Sequence, residues 1–78
     1  MPKLKLSLAD IEQARKTLSK LLEPTPLLPN RLLSEKLDCQ VFLKLENMQP
    51  IGSFKIRGAT YKISRLSSAQ KRKGVITA

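Results

Sequence analysis

Aromatic side chains are the first shortage: two Phe and one Tyr in 78 residues, 4% of the chain. A protein this short that builds its own core usually leans on large rings or on disulfides. Disulfides within the chain are excluded, because Cys39 is the one cysteine, and the same count leaves no cysteine zinc site. A lone thiol fits a reducing compartment. No apolar run approaches the ~20 residues that span a bilayer. Asp10 and Glu12 interrupt the stretch behind Lys3 and Lys5, so no signal-peptide core forms. The expectation is a soluble, cytoplasmic protein with no membrane partner.

Acids are the second shortage. Six Asp and Glu face 15 Lys and Arg, a net charge of +9. The imbalance is local. Asp10, Glu12, Glu23, Glu35, Asp38 and Glu46 share their part of the chain with eight bases, a net of +2, whereas from Asn47 onward seven bases meet no acid. A basic tail can signal a nucleic-acid face. Here the run Lys71-Arg72-Lys73 is short, and only Phe54 and Tyr61 stand near it for base stacking. A solvated face is the commoner meaning of such a run. Nucleic acid is therefore not the expected partner, and a small basic binding module for RNA or another polyanion stays as the alternative reading.

What is present is aliphatic and patterned. Hydrophobic residues make up 41% of the chain and charged residues 27%, a globular balance without repeats or low-complexity segments. Ser7 and Asp10 form a capping pair, and Leu8, Ile11, Ala14, Leu18, Leu21 and Leu22 share one face of a helix that Pro24 stops, predicting a helix over 8–22. "EPTPLLP" must be extended. Asn30 caps a short helix from Arg31 to Leu37, and "QVFLKLE" alternates as a strand over 41–46. After the loop "NMQPIGS", Ile56, Ala59, Ile63 and Leu66 form the buried stripe of a helix opening at Ser53. Ser67 or Ser68 caps a last short helix through Lys73, Gly74 stops it, and "VITA" opens a second strand. This order predicts an α/β fold with an incomplete parallel sheet. Two strands cannot cover both faces or protect their edges, so the chain is expected to be the front of something larger.

One lysine is oddly placed. In "GSFKIRGA", Lys55 stands between Phe54 and Ile56 just after a Gly-Ser turn. With Ser53 as the cap, Lys55 falls in the first helical turn, where unpaired N–H groups leave partial positive charge. A cation there is misplaced, and apolar neighbours add a desolvation cost. Both favour the neutral amine, the form that condenses with an aldehyde cofactor. A snorkelling surface lysine is the commoner fate of such a residue, and the residue pattern by itself leaves both open. Gly58, three residues on, interrupts the helix at about 1 kcal/mol relative to Ala. Its missing side chain suits either tight helix packing or the close approach of another group.

"TPL" at Thr25–Leu27, "VFLKLENMQP" at Val41–Pro50 and "GSFKIRGA" together resemble the front of the threonine/serine dehydratase family, enzymes of fold-type II that depend on pyridoxal 5′-phosphate. Serine racemase is a close relative of that family. The resemblance runs from about Thr25 to the last residue, and the leading helix has its counterpart. It implies that Lys55 is both the catalytic and the cofactor-binding lysine, and that Phe54 packs on a face of the pyridine ring. It implies a small amino-acid substrate: L-threonine going to 2-oxobutanoate, or L-serine to pyruvate, with ammonia released. Homo-oligomeric assembly and a place in amino-acid metabolism, isoleucine biosynthesis included, come with it. Residues 1–78 would be the N-terminal fragment of the dehydratase domain, about 1–73 contributing to the cofactor-lysine region and 75–78 opening the next strand. Pro50 and Ile51 stand where nucleotide-activated members carry a basic residue and Thr, so such activation is not implied. The family's S-x-G-N-H loop is absent from these 78 residues, and the chain alone is expected to be inactive.

Overall fold

Ser7 opens the first helix by reciprocal capping. Its hydroxyl accepts the Asp10 amide (3.2 Å), and the Asp10 carboxylate accepts the Ser7 amide (2.9 Å), which satisfies donors a helix start leaves over. In the computed structural model, which describes residues 5–77, helix α1 runs Leu8–Leu18. Hydrogen-bonded turns carry the chain on until the Leu22 amide reaches the Leu18 carbonyl (2.8 Å). The helix expected over 8–22 is thus regular at first and loosens before Pro24.

Strand β1 is Leu27–Pro29, helix α2 is Arg31–Leu37 and strand β2 is Phe42–Lys44. Asn30 caps α2 by accepting the Leu33 amide (2.9 Å). Asp38 ends it in the left-handed region at φ 52°, a conformation short polar side chains tolerate. The strands pair antiparallel, Leu27 opposite Lys44 and Pro29 opposite Phe42. Ser34 shows why. Its hydroxyl donates to the Asn30 carbonyl (2.6 Å) and accepts the Val41 amide (2.9 Å), while the Asn30 amide donates to the Val41 carbonyl (2.9 Å). Residue 41 is pinned beside residue 30, so β2 starts where β1 ends and must run back along it.

The parallel sheet predicted from the sequence does not appear among the described residues. Their one sheet is the antiparallel β1–β2 pair, and Val75–Thr77 join no strand. Ala78, the end of the expected second strand, lies outside the described residues. The partner of β2 is instead the proline-framed segment, which the sequence marks only as extended. A two-stranded sheet has nothing but edges, and edges are where proline is tolerated.

A 3-10 turn, Glu46–Met48, follows β2, then helix α3 at Lys55–Ser64 and helix α4 at Ser68–Lys73. α4 repeats the device of α1: Ser67 accepts the Gln70 amide (3.2 Å), and the Gln70 side chain accepts the Ser67 amide (2.8 Å). Gly74, at φ +80°, closes it. The chain divides into two units, Glu23–Ile56 and the segments on either side of it. Leu18, 8% exposed, is the one buried hydrophobic residue among those described. The stripe expected to be buried on α3 is not: no residue of that helix is buried, and Ile63 is 46% exposed. A helical stripe is buried only when a second apolar surface covers it. No helix among the described residues is long and apolar enough to cross a membrane.

The α1 cap gives a pH dependence. The Ser7 amide, then the Ser7 hydroxyl, hold the Asp10 carboxyl below its usual 3.8, and the Arg65 charge adds to this. A carboxyl depressed by folding stabilises above its unfolded pKa, and the contribution is lost as pH falls through the folded value. Helicity followed by circular dichroism should therefore fall below about pH 3.8. Ser7→Ala should lower helicity at neutral pH, at a cost of about 1 kcal/mol, and should flatten the acid transition. An acid transition unchanged in Ser7→Ala would locate its source elsewhere.

Candidate active site

Within the unit Glu23–Ile56, two buried residues hold one carboxylate. Thr25 and Gln49, 7% and 5% exposed, are the buried polar residues among those described. The Thr25 hydroxyl donates to Glu46 Oε1 (3.2 Å), and Gln49 Nε2 donates to Glu46 Oε2 (2.8 Å). Hydrogen bonds to an ionised acceptor are stronger than neutral ones. The same two segments meet again where Lys44 Nζ donates to the Thr25 carbonyl (2.7 Å) and the Leu45 amide donates to the Pro26 carbonyl (3.0 Å). The "TPL" and "KLENMQ" stretches are thereby stitched together at the end of β2.

Gln49 then begins a tight turn. The Gly52 amide donates to its carbonyl (2.8 Å), with Pro50 at the second position, where a fixed φ suits the turn. Gly52 itself sits at φ +77°, which L side chains rarely adopt. Three residues later Lys55 is the first residue of α3. Lys55 is thus in the first helical turn, as the sequence implies, but the helix starts two residues after Ser53 and not directly behind it. The apolar wall expected around the amine is missing: Lys55 is exposed and Phe54 is 67% exposed. Ile56 is half-buried.

Gly58 shows neither tight packing nor a close approach, since a Cβ built there meets nothing within 4 Å. An open hollow on the same unit as Lys55 is lined by Asn30, Leu32, Leu33, Glu35 and Lys36 and excludes Phe54 and Lys55. No cluster of three or more His, Cys, Asp or Glu among the described residues could hold a metal. The basic run has a plain structural place. Lys71, Arg72 and Lys73 form the last turn of α4, where cations complement the exposed carbonyls. The Tyr61 ring carries the Arg65 guanidinium 5.6 Å from its centroid, and Arg65 Nη1 donates to the Tyr61 hydroxyl (2.9 Å). One of the two rings available for base stacking is already engaged.

Sequence reasoning puts forward Lys55 and Phe54, passes over the hydrogen-bonded Glu46, and gives Gln49 no role. The available signal is local: an acid followed three residues later by an amide faces it across one helical turn. Thr25 carries no such signal, because its meeting with Glu46 spans 21 positions.

The profile of the pyridoxal-phosphate dependent enzyme family matches residues 18–78. The chain is 49% identical over 74 residues to the protein named L-threonine dehydratase catabolic TdcB in Staphylococcus aureus strain USA300, and equally to those of strains NCTC 8325 and N315. Each match covers 94% of this chain and 21% of the relative, so the chain spans about a fifth of the length of the curated relatives it matches. No solved structure matches.

The two glycines predict opposite effects. Gly52→Ala forces a Cβ into a positive φ and should destabilise the turn by about 1–2 kcal/mol. Gly58→Ala adds a good helix former in open space and should stabilise by up to about 1 kcal/mol. Urea unfolding of both variants reads the difference, and a destabilised Gly58→Ala would reveal packing at α3 that this structure lacks.

Proposed function

The chain belongs to the pyridoxal-phosphate dependent enzyme family, and from that premise we propose that it is the segment of a threonine or serine dehydratase that presents the cofactor lysine, Lys55. Pyridoxal phosphate is the cofactor the family implies. The residues present fit it in one respect that counts: an aldehyde needs a primary amine within reach, and Lys55 is exposed at the start of α3 behind a turn of defined geometry. That placement carries the reading.

When bound, the cofactor supplies an aldehyde for an amine and a ring that accepts electron density. Lys55 offers the amine, and in its free-base form Nζ can take the proton from the α-carbon of an amino acid. Phe54, adjacent and exposed, offers a ring face for a planar group. Ser53 and Gly52 form the turn that delivers the pair. The reaction is the net conversion of L-threonine to 2-oxobutanoate and ammonia, or of L-serine to pyruvate and ammonia. The relatives are named catabolic, which favours a catabolic role over isoleucine biosynthesis. The fold-type II architecture, a domain running through residues 1–78, homo-oligomeric assembly and a cytoplasmic location belong to the same proposal.

Two experiments test it. The relative's matched segment is replaced by this chain, and dehydration of L-threonine is followed. Lys55→Ala should abolish activity, because it removes the amine at the proposed position, and Lys62→Ala should leave it nearly intact. Loss with Lys62→Ala and survival with Lys55→Ala would overturn the assignment. The 78-residue chain alone, given pyridoxal phosphate and L-threonine, should form no 2-oxobutanoate above a free-cofactor blank. Holding a substrate so that its α-proton faces an amine takes groups that Lys55 and Phe54 do not provide.

A further inference from the structure

The interior of the unit Glu23–Ile56 is unusual in what it buries. Its buried residues, Thr25 and Gln49, are both polar, and both spend their side chains on Glu46. None of its leucines is buried, Leu27, Leu28, Leu32 and Leu37 being exposed. A half-buried carboxylate, hydrogen-bonded by the unit's two buried residues, thus stands where a globular unit normally gathers apolar side chains. Such a group fixes geometry more than it adds stability, because its partners are directional and an unsatisfied partner is penalised.

What it fixes lies directly downstream. Gln49 has its side chain on Glu46 and its carbonyl on the Gly52 amide (2.8 Å). One residue therefore links the carboxylate to the turn, and the turn leads through Ser53 and Phe54 into Lys55. We infer that Glu46 is a positioning residue: its carboxylate, shared between Thr25 and Gln49, sets the turn that delivers Lys55 at the start of α3. This rests on the reading of Lys55 as the cofactor amine. Glu46 itself need touch neither cofactor nor substrate. A glutamine in its place can keep both contacts, its carbonyl accepting from Gln49 and its amide donating to the Thr25 hydroxyl. An alanine keeps neither.

The test uses the 78-residue chain and two readouts. Hydrogen exchange at the Gly52 amide reports the turn. Labelling with pyridoxal phosphate, trapped by borohydride and mapped by mass spectrometry, reports the Lys55-to-Lys62 ratio, with the urea-unfolded chain as reference. In Glu46→Ala, Gly52 exchange should rise about tenfold, and the labelling ratio should move to the unfolded value. Exchange at the Ser19 amide, which closes α1, should not change. Glu46→Gln should restore both readouts. If Glu46→Ala unfolds the whole chain, Thr25→Val removes one contact at constant size and should give the same pattern at lower amplitude. Unchanged Gly52 exchange would overturn the positioning role, and so would faster exchange with an unchanged ratio where the parent's ratio differs from the unfolded one. If the parent chain already labels with the unfolded ratio, the reading of Lys55 falls, while accelerated Gly52 exchange would still support Glu46 as the setter of the turn.

Discussion

The carboxylate of Glu46 is the constraint that ties together the unit Glu23–Ile56. It joins a residue before β1 to a residue after β2, and so closes the β1–α2–β2 unit at its open end. Directional hydrogen bonds do here what apolar burial does in larger domains. The choice suits a stretch poor in aromatic rings, because a few polar contacts can fix an angle without filling a volume.

Lys55 and the Phe54 ring beside it are both exposed, as the proposed cofactor role requires. Neither group is packed away, so neither must be released. Behind them lies a turn that ends on a glycine at φ +77° and begins at a residue with a buried amide side chain. On the proposed reading of Lys55, a defined support behind an accessible amine is the arrangement that would let one residue meet a ligand in a fixed pose.

Much of the local structure is legible in the sequence, because capping and helix stops are short-range chemistry. Ser7, Asn30, Ser67 and Gly74 each mark the terminus they occupy, and α2 begins and ends where its caps imply. The sheet is not legible in the same way. The pairing of Leu27 with Lys44 depends on Ser34 bridging Asn30 to Val41, and no periodicity encodes that bridge. The stripe on α3 is legible as a pattern but not as a burial, since a pattern names a face and not its cover. Lys55 stands out through its neighbours and its family resemblance, whereas Glu46 emerges only once Thr25 is seen beside it.

The contacts of the β1–α2–β2 unit are nested, and nesting has a kinetic meaning. Ser34 and Val41 lie seven positions apart, and outside them come Asn30 with Val41, Pro29 with Phe42, Leu27 with Lys44, Pro26 with Leu45, and finally Thr25 with Glu46, 21 positions apart. Closing a loop of about ten residues takes on the order of 10–100 ns, and each closure shortens the effective loop left for the next. On loop-closure cost alone, the cheapest order runs from Ser34 and Val41 outward, with Thr25 and Glu46 as the last rung. The Thr25 contact to Glu46 is the longest closure of the set, whereas the contacts Glu46–Gln49 and Gln49–Gly52 each span three positions and can close locally.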